Sequence, residues 1–522
     1  MAAEVFRWVI LSLYVLTLIV VATYGVHRYH LVYLYLKHRK SGHVPPKNYT
    51  DDELPRITIQ LPMYNEQMVA ERVIDAACID DYPRDRLDIQ VLDDSTDESA
   101  EIARKSVEKW QARGIDISYI HRNDRTGYKA GALAAATPQA KGEYIAIFDA
   151  DFVPPVDMLR NVVNHFSDPK IGMVQVRWEH LNRDASLLTK GQAIFLDGHF
   201  VIEHTARNRS GRFMHFNGTA GVWRRETIAS AGGWEHDTLT EDLDLSYRAQ
   251  MKGWNFVYLP HFYAPAELPP EILAFKAQAH RWTKGSFQTA LKLLPGILRS
   301  KKLPFRIKSE AFFHLTNTIV YPLMVLLTMI MYPAFICSQG PLKDHPMSGW
   351  LFAVTLFILA TCSAGTFFCF AQRVLFGASA GWRTIMYLPY LMALGVGLSI
   401  NNSKAVLEAI FTKGNSKSNE FVRTPKYGLT GSHATVQFAS EMKRKKFPWS
   451  KALLAILEVS FGAYMATFIA ISLIYHFALS AVPFLTIFAG GYFYVGLSSL
   501  WLMWQTHSAR REAIVPEVEL LS

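Results

Sequence analysis

Three acidic groupings in the chain have spacings that could do chemistry. In "YIAIFDADFVPP", Asp149 and Asp151 stand one residue apart, just past the apolar residues Ile145 to Phe148. In "LDIQVLDDSTDES", a second apolar run, Ile89 to Leu92, ends on Asp93 and Asp94. Carboxylates at the carboxyl end of a buried strand can share a hard cation, and a cation there can hold a diphosphate. A turn with solvated aspartates explains one such pair equally well. Two pairs, each closing a buried strand, favour a ligand site. The third grouping, "HDTLTEDLDLSYRAQ", sets Glu241, Asp242 and Asp244 behind Thr240, which reads as a helix cap. Acids in a first helical turn stabilise the helix, but three are more than capping requires. "GYKAGALAAA" adds Lys129 at a glycine-flanked turn before a helix, where phosphate oxygens or plain solvent would both suit it. "AQAHRWTKGSFQT" sets Gln278, Arg281 and Trp282 at i, i+3 and i+4, on one helix face. An amphipathic helix at a membrane surface has the same pattern.

The elements that must position these residues alternate in type. "RITIQLPMYNE" predicts a strand over Ile57–Leu61, and Val69, Val73, Ile74 and Ala77 predict a helix after it. A strand at Ile89–Leu92, a helix at Ser99–Arg113, and strands in "DISYIHR" and "EYIAIFDAD" follow. This order indicates a mainly parallel sheet with helices on its faces. No GxxxxGK[ST] loop occurs and no glycine-rich dinucleotide fingerprint follows a strand. A P-loop kinase and a Rossmann dehydrogenase are thereby disfavoured. An acid-lined strand edge suits a nucleotide whose diphosphate is held by a metal instead of by a backbone loop.

Half of the 522 residues are hydrophobic and 19% are charged, the mixture expected of a water-soluble domain joined to membrane spans. The net charge of +9 collects beside apolar runs, as in cytoplasmic membrane flanks. No basic stripe with interleaved aromatics points to nucleic acid. The four cysteines have no metal-type spacing. Val5–Val26 is too long for a signal peptide and reads as a retained anchor, with Lys37–Lys40 cytoplasmic. Apolar runs recur near Leu315–Ile336, Trp350–Phe370, Ile385–Ile400, Ala452–Ile474 and Phe477–Trp504. If all crossed, the basic stretch Thr412–Phe447, with its "KRKK", would lie outside the cell. Trp382–Phe411 is therefore expected to lie in the membrane plane, leaving five spans and a cytoplasmic carboxyl terminus.

With "LDDSTD", "DAD", "TED" and "QAHRW" in this order, the chain resembles a processive family 2 glycosyltransferase of the cellulose synthase superfamily. The wording "QVLDDSTD", "GYKAGAL" and "FNGTAGVWR" is most similar to its cellulose synthase-like glucan and mannan synthases. The resemblance runs from about Pro55 to Lys426. It implies a cytoplasmic α/β domain of the GT-A nucleotide-sugar transferase type, residues 54–270, inserted between transmembrane helices. Its implied arrangement is a helix at 1–36, interfacial helices at 271–308, membrane helices with the in-plane segment at 309–411, and a gating-type loop at 412–447. Two further spans at 448–506 and a cytoplasmic tail at 507–522 complete it. Tyr64, Glu66 and an aspartate of Asp93–Asp94 would hold the nucleoside. Asp149 and Asp151 would bind Mg2+ or Mn2+, and Asp149 also the donor. Lys129 would neutralise phosphate charge, with Gln278 and Arg281 on the donor. Asp242 would be the general base. Trp282, Asn217, Gly218 and Glu241 would meet the acceptor. In the loop "EFVRTPK", Phe421, Thr424 and Lys426 match the family form, and Arg423 departs from it. The implied activity is inverting polymerisation of a β-linked glucan or mannan from UDP-glucose or GDP-mannose, with the growing chain passing through the bilayer. The alternative is single glycosylation of a membrane lipid.

Overall fold

The computed structural model describes residues 1–338, 349–412, 423, 424, 426, 428, 449–476 and 479–519. Seven strands form one mixed sheet: β1 (Ile57–Met63), β2 (Leu87–Asp93), β3 (Ile117–His121), β4 (Tyr144–Ile147), β5 (Ile171–His180), β6 (Gly221–Arg224) and β7 (Asn255–Ala266). Their order is β3-β2-β1-β4-β6-β5-β7. β1 pairs in parallel with β2 and β4, β2 with β3, and β5 with β7. β6 alone runs antiparallel, against both β4 and β5. The mainly parallel sheet expected from the sequence is thus present, with one reversed strand.

β1, β2 and β4 are buried along their whole length, and this explains their near-continuous apolar runs. Val73, Ile74 and Ala77 of the helix Ala70–Cys78 pack on one face of the sheet with Ile59, Leu61 and Phe148. Leu133, Trp223, Leu245 and Phe256 form a second core. The chain leaves β1 for β2 on one side and returns to β4 on the other. That reversal opens a crevice beyond the carboxyl ends of these strands, where ligands bind in open α/β sheets. Tyr64 and Glu66 follow β1, Asp94 follows β2, and Asp149 and Asp151 follow β4.

Two long helical elements close over this edge. One begins as an α-helix at Leu187–Asp197, becomes π-helical over Gly198–His204, and ends as an α-helix at Thr205–Arg209. The other, Ile272–Arg299, carries Gln278, Arg281 and Trp282, and packs against Ser399–Phe411.

Among the described residues, five helices are long and apolar enough to cross a membrane: Ala2–His38, Phe305–Cys337, Ala378–Phe411, Ala452–Ile474 and Val482–Gln505. The number equals that read from the sequence, but the set differs, because it includes the segment expected to lie in plane. That segment is broken: a 3-10 turn at Ile385–Tyr387 separates Ala378–Thr384 from Leu388–Gly397, and Ser399–Phe411 follows Leu398. The expected third span is helical over Gly349–Phe376. The basic run Lys443–Lys446 lies outside the described residues.

Candidate active site

One cavity at the sheet edge gathers Tyr64, Glu66, Asp94, Lys129, Asp149, Asp151, Asn217, Gly218, Glu241, Asp242, Gln278, Arg281 and Trp282. All of these were candidates from sequence. β4 ends at Ile147, and the chain turns so that the Asp149 amide donates to Thr219 Oγ1 at 2.9 Å. Lys129 enters from the first turn of the helix Tyr128–Ala136, whose N-cap, Gly127, has φ +74°. Its ammonium donates to Asp149 Oδ1 and, at 2.9 Å, to the carbonyl of Gly218. Gly218 has φ +81°, and a Cβ there would stand 3.1 Å from Asp242 Oδ2 and 3.4 Å from Lys129 Nζ. Glycine is needed both for the backbone and for the room.

Glu241 and Asp242 open the helix Glu241–Met251 behind Thr240. Thr240 occupies the cap position, but its hydroxyl makes no cap bond and lies 3.2 Å from Thr289 Oγ1 on the long helix. The Leu239 amide donates to Gln288 Oε1 at 3.0 Å. Gly285 of that helix lies against the same turn: a Cβ there would be 2.6 Å from Thr240 Cγ2 and 2.8 Å from the Thr240 amide nitrogen. The helix bearing Arg281 and Trp282 is thereby seated directly on the turn bearing Asp242. Asp244, the third acid, is fully buried and paired with Arg248 and Lys292, a structural role.

Opposed charges are packed closely here. Burial, reinforced by Glu241, pushes the Asp242 carboxyl up to about 7, although Oδ1 accepts from the Leu243 amide at 2.8 Å. Glu241 is raised too, by burial first, with Lys129 opposing. Burial would lower the Lys129 ammonium, but Asp149, Glu241 and Asp242 keep it above its ordinary value. Arg281 lies in the combined field of Glu241, Asp149, Asp242 and Asp151. Burial pushes Glu66 up to about 7, Arg423 opposing and Asp151 and Asp149 reinforcing.

Of the Asp93–Asp94 pair, Asp93 is the member that stays out of the cavity. It is fully buried. Its Oδ2 accepts from Tyr119 Oη at 2.7 Å and lies 3.2 Å from His121 Nδ1, while Oδ1 accepts from the Ser95 amide at 3.0 Å. Asp93 braces β2 against β3, and Asp94 alone lines the cavity, held on both oxygens by Arg122. Asn217 borders the cavity, but its amide nitrogen turns away toward His199 and His215.

Sequence reasoning missed Arg125, whose guanidinium sits 3.3 Å over the ring of Tyr64. The signal available was a basic residue in the loop after β3. Arg423 and Lys426, of the loop "EFVRTPK", are in the cavity wall. Lys426 Nζ donates to Asp151 Oδ2 at 2.6 Å, and Arg423 Nε lies 3.6 Å from Glu66 Oε1. Thr424 is buried, and Phe421 lies outside the described residues.

Residues 55–285 match the profile of the glycosyltransferase-like family 2. The chain is 35% identical over 431 residues to glucomannan 4-beta-mannosyltransferase 2 of Arabidopsis thaliana, covering 80% of this chain and 76% of that protein. It is 35% identical over 421 residues to glucomannan 4-beta-mannosyltransferase 1 of Oryza sativa subsp. japonica, covering 79% and 76%. A mannosyltransferase from Pyrobaculum calidifontis, solved in complex with GDP-mannose and Mn2+, shares the fold. Its TM-score is 0.51 at 22% identity, over 77% of this chain and 99% of that one. A GT-A-type sheet with an acid-lined edge, joined to apolar helices at both ends, is the architecture of a membrane glycosyltransferase, and the chain belongs to family 2 of these enzymes. Within that family it stands with the cellulose synthase-like glucomannan 4-beta-mannosyltransferases.

Proposed function

We propose that this glycosyltransferase polymerises a β-1,4-linked mannan or glucan at the cytoplasmic face of a membrane, with GDP-mannose as the favoured donor. The observation that carries the reading is the convergence of Asp242, Lys129, Arg281, Asp149, Asp151 and Trp282 on one cavity. The choice of mannose rests on the names of the relatives, which are mannosyltransferases over most of the chain.

Asp242 accepts the proton of the acceptor hydroxyl as that oxygen attacks the anomeric carbon. The new C–O bond forms as the bond to the diphosphate breaks, and the α-linked donor becomes a β-linked product. A carboxyl poised near 7 keeps the base competent at neutral pH, and such catalysis is worth roughly 10²–10⁴-fold. Lys129 and Arg281 bind and orient the diphosphate oxygens. Tyr64, Asp94 and Glu66 bind the nucleoside end, and Gln278 supports the donor. Trp282 offers a flat face to the acceptor pyranose, bordered by Asn217, Gly218 and Glu241.

The donor set suits a hard divalent cation such as Mg2+ or Mn2+. Asp149 and Asp151 supply carboxylates at the strand end, and Glu66 Oε2 is buried nearby without a hydrogen-bond partner. Asp149 and Asp151 would hold the ion, which when bound supplies Lewis-acid stabilisation of the departing diphosphate.

The test is to incubate the purified chain with GDP-mannose, UDP-glucose and other nucleotide sugars and size the product. A ladder or an insoluble β-glycan from GDP-mannose is expected. A single chloroform-soluble glycolipid would replace the polymerase by a lipid glycosyltransferase. Trp282→Ala should shorten the product at least several-fold while leaving donor binding nearly unchanged.

A further inference from the structure

Behind Asn217, apart from the groups just assigned, lies a cluster of histidines. His199 and His204 sit on the π-helical turn Gly198–His204, and His215 two residues before Asn217. One ring nitrogen from each lies within 4.8 Å of the other two. His204 is fully buried, and neither of its ring nitrogens has a hydrogen-bond partner, although the Asn217 side chain lies close enough to act on it. His215 Nδ1 and Asn217 Oδ1 are also buried without partners. A buried polar group without a partner is costly to the fold. One nitrogen of His204 can face the other two rings, and no hydrogen bond within the protein holds it there. Burial, then neighbouring histidines and Arg207, hold His204 and His215 well below the ordinary imidazole range. Both are therefore neutral at physiological pH, and each presents a lone pair. π-Helical turns are rare and recur at functional sites.

We propose that His199, His204 and His215 bind one divalent transition-metal ion of the Zn2+ type. Neutral imidazole nitrogens suit such ions, whereas the carboxylates at the strand edge suit Mg2+ or Mn2+. Zinc–nitrogen bonds of about 2.0–2.1 Å set tetrahedral nitrogens about 3.3 Å apart. Closing the cluster from its present spacing, within 4.8 Å, means moving the rings together, and no hydrogen bond holds either His204 nitrogen against this. His199 Nδ1 donates to Glu203 Oε2 at 3.0 Å, which leaves Nε2 for the metal and completes a carboxylate–histidine–metal relay. Asn217 Nδ2 lies 3.1 Å from His199 Nε2 and 3.2 Å from His215 Nε2. Turned over, the same carboxamide offers Oδ1 as a fourth donor. Arg207, the cation that acts on the cluster, is itself paired with Glu203 and Glu310. By contrast, Glu235, Asp237 and Asp244 also converge, but the Lys292 ammonium already bridges all three. The metal would staple the helix over 187–209 to the loop that presents Asn217 and Gly218.

The full chain, carrying a tag without histidine, should be stripped with chelator and reloaded with ZnCl2 in excess Mg2+. After desalting, elemental analysis should find one zinc per chain, and X-ray absorption should show imidazole scattering at about 2.0 Å. His204→Gln and His215→Gln should each retain less than a tenth of that zinc, with unchanged circular dichroism. Less than half a zinc in the unsubstituted chain would overturn the proposal, as would uptake by either variant equal to that of the unsubstituted chain. If the variants fail to fold, the unsubstituted chain decides alone: bound zinc without imidazole scattering would equally overturn it.

Discussion

Asp242 takes its character from burial and from Glu241, and both effects can be measured. Asp242→Asn keeps the shape and removes the base, so turnover should fall about 10²-fold or more while donor binding persists. Near-normal turnover in that variant would remove Asp242 from the mechanism. The pH profile carries the same assignment. The base works deprotonated and the Glu241–Asp242 pair holds its proton up to about 7, so kcat/KM should fall tenfold per unit below that pH and level off above it. An acid limb near 4, the ordinary carboxylate range, would contradict the geometry. These acids were legible in the sequence because each stands at a strand or helix terminus, where an apolar run makes it conspicuous. Asp93 was not separable from Asp94 by pattern. Their difference lies in Tyr119, His121 and Arg122, partners that only the pairing of β2 with β3 brings near. Arg125 was hidden for a similar reason, since its stacking on Tyr64 spans two loops.

At the scale of elements, the contact between the long helix and the turn before Asp242 is the most sensitive. Gly285→Ala would drive a methyl group into Thr240, where backbone atoms leave no room to yield. Overpacking of this kind costs about 1–3 kcal/mol. The turn should shift, with activity falling at least tenfold and the melting temperature dropping by a few degrees. Wild-type activity in Gly285→Ala would show that the helix and turn are not tightly seated. The strands β1, β2 and β4 were legible because they are apolar throughout. The reversal at β6 was not, because Gly221–Arg224 has only four residues and its direction depends on partners far away in sequence. The π-helical turn was equally silent, since its residues are compatible with an ordinary helix.

For the whole molecule, the sequence foresaw a soluble α/β domain among membrane helices, but could not assign each apolar run a path. Cysteine substitutions at Ser418 and Ser440 should resist labelling from outside the cell, whereas one near His345 should react. Labelling of Ser418 from outside would mean that Ala378–Phe411 crosses the membrane and that the in-plane reading is wrong. Glu458, on the apolar helix Ala452–Ile474, is bonded to another helix. Lys276 Nζ donates to both of its carboxylate oxygens at 2.7 Å, deep within the protein. Glu458→Leu should cost about 3–5 kcal/mol by stranding the lysine, and Lys276→Met in the same chain should restore much of the loss. A thermal-unfolding comparison of the single and double variants checks this; equal stability of Glu458→Leu and wild type would refute it. The pair also bears on the order of events during synthesis. Lys276 belongs to the helix that carries Gln278, Arg281 and Trp282, whereas its partner leaves the ribosome some 180 residues later. Until that late helix is inserted, the wall of the cavity is anchored to an unpaired charge. A nascent chain would thus reach full transfer competence only when most of its membrane portion is in place, and a half-made enzyme would not consume its donor.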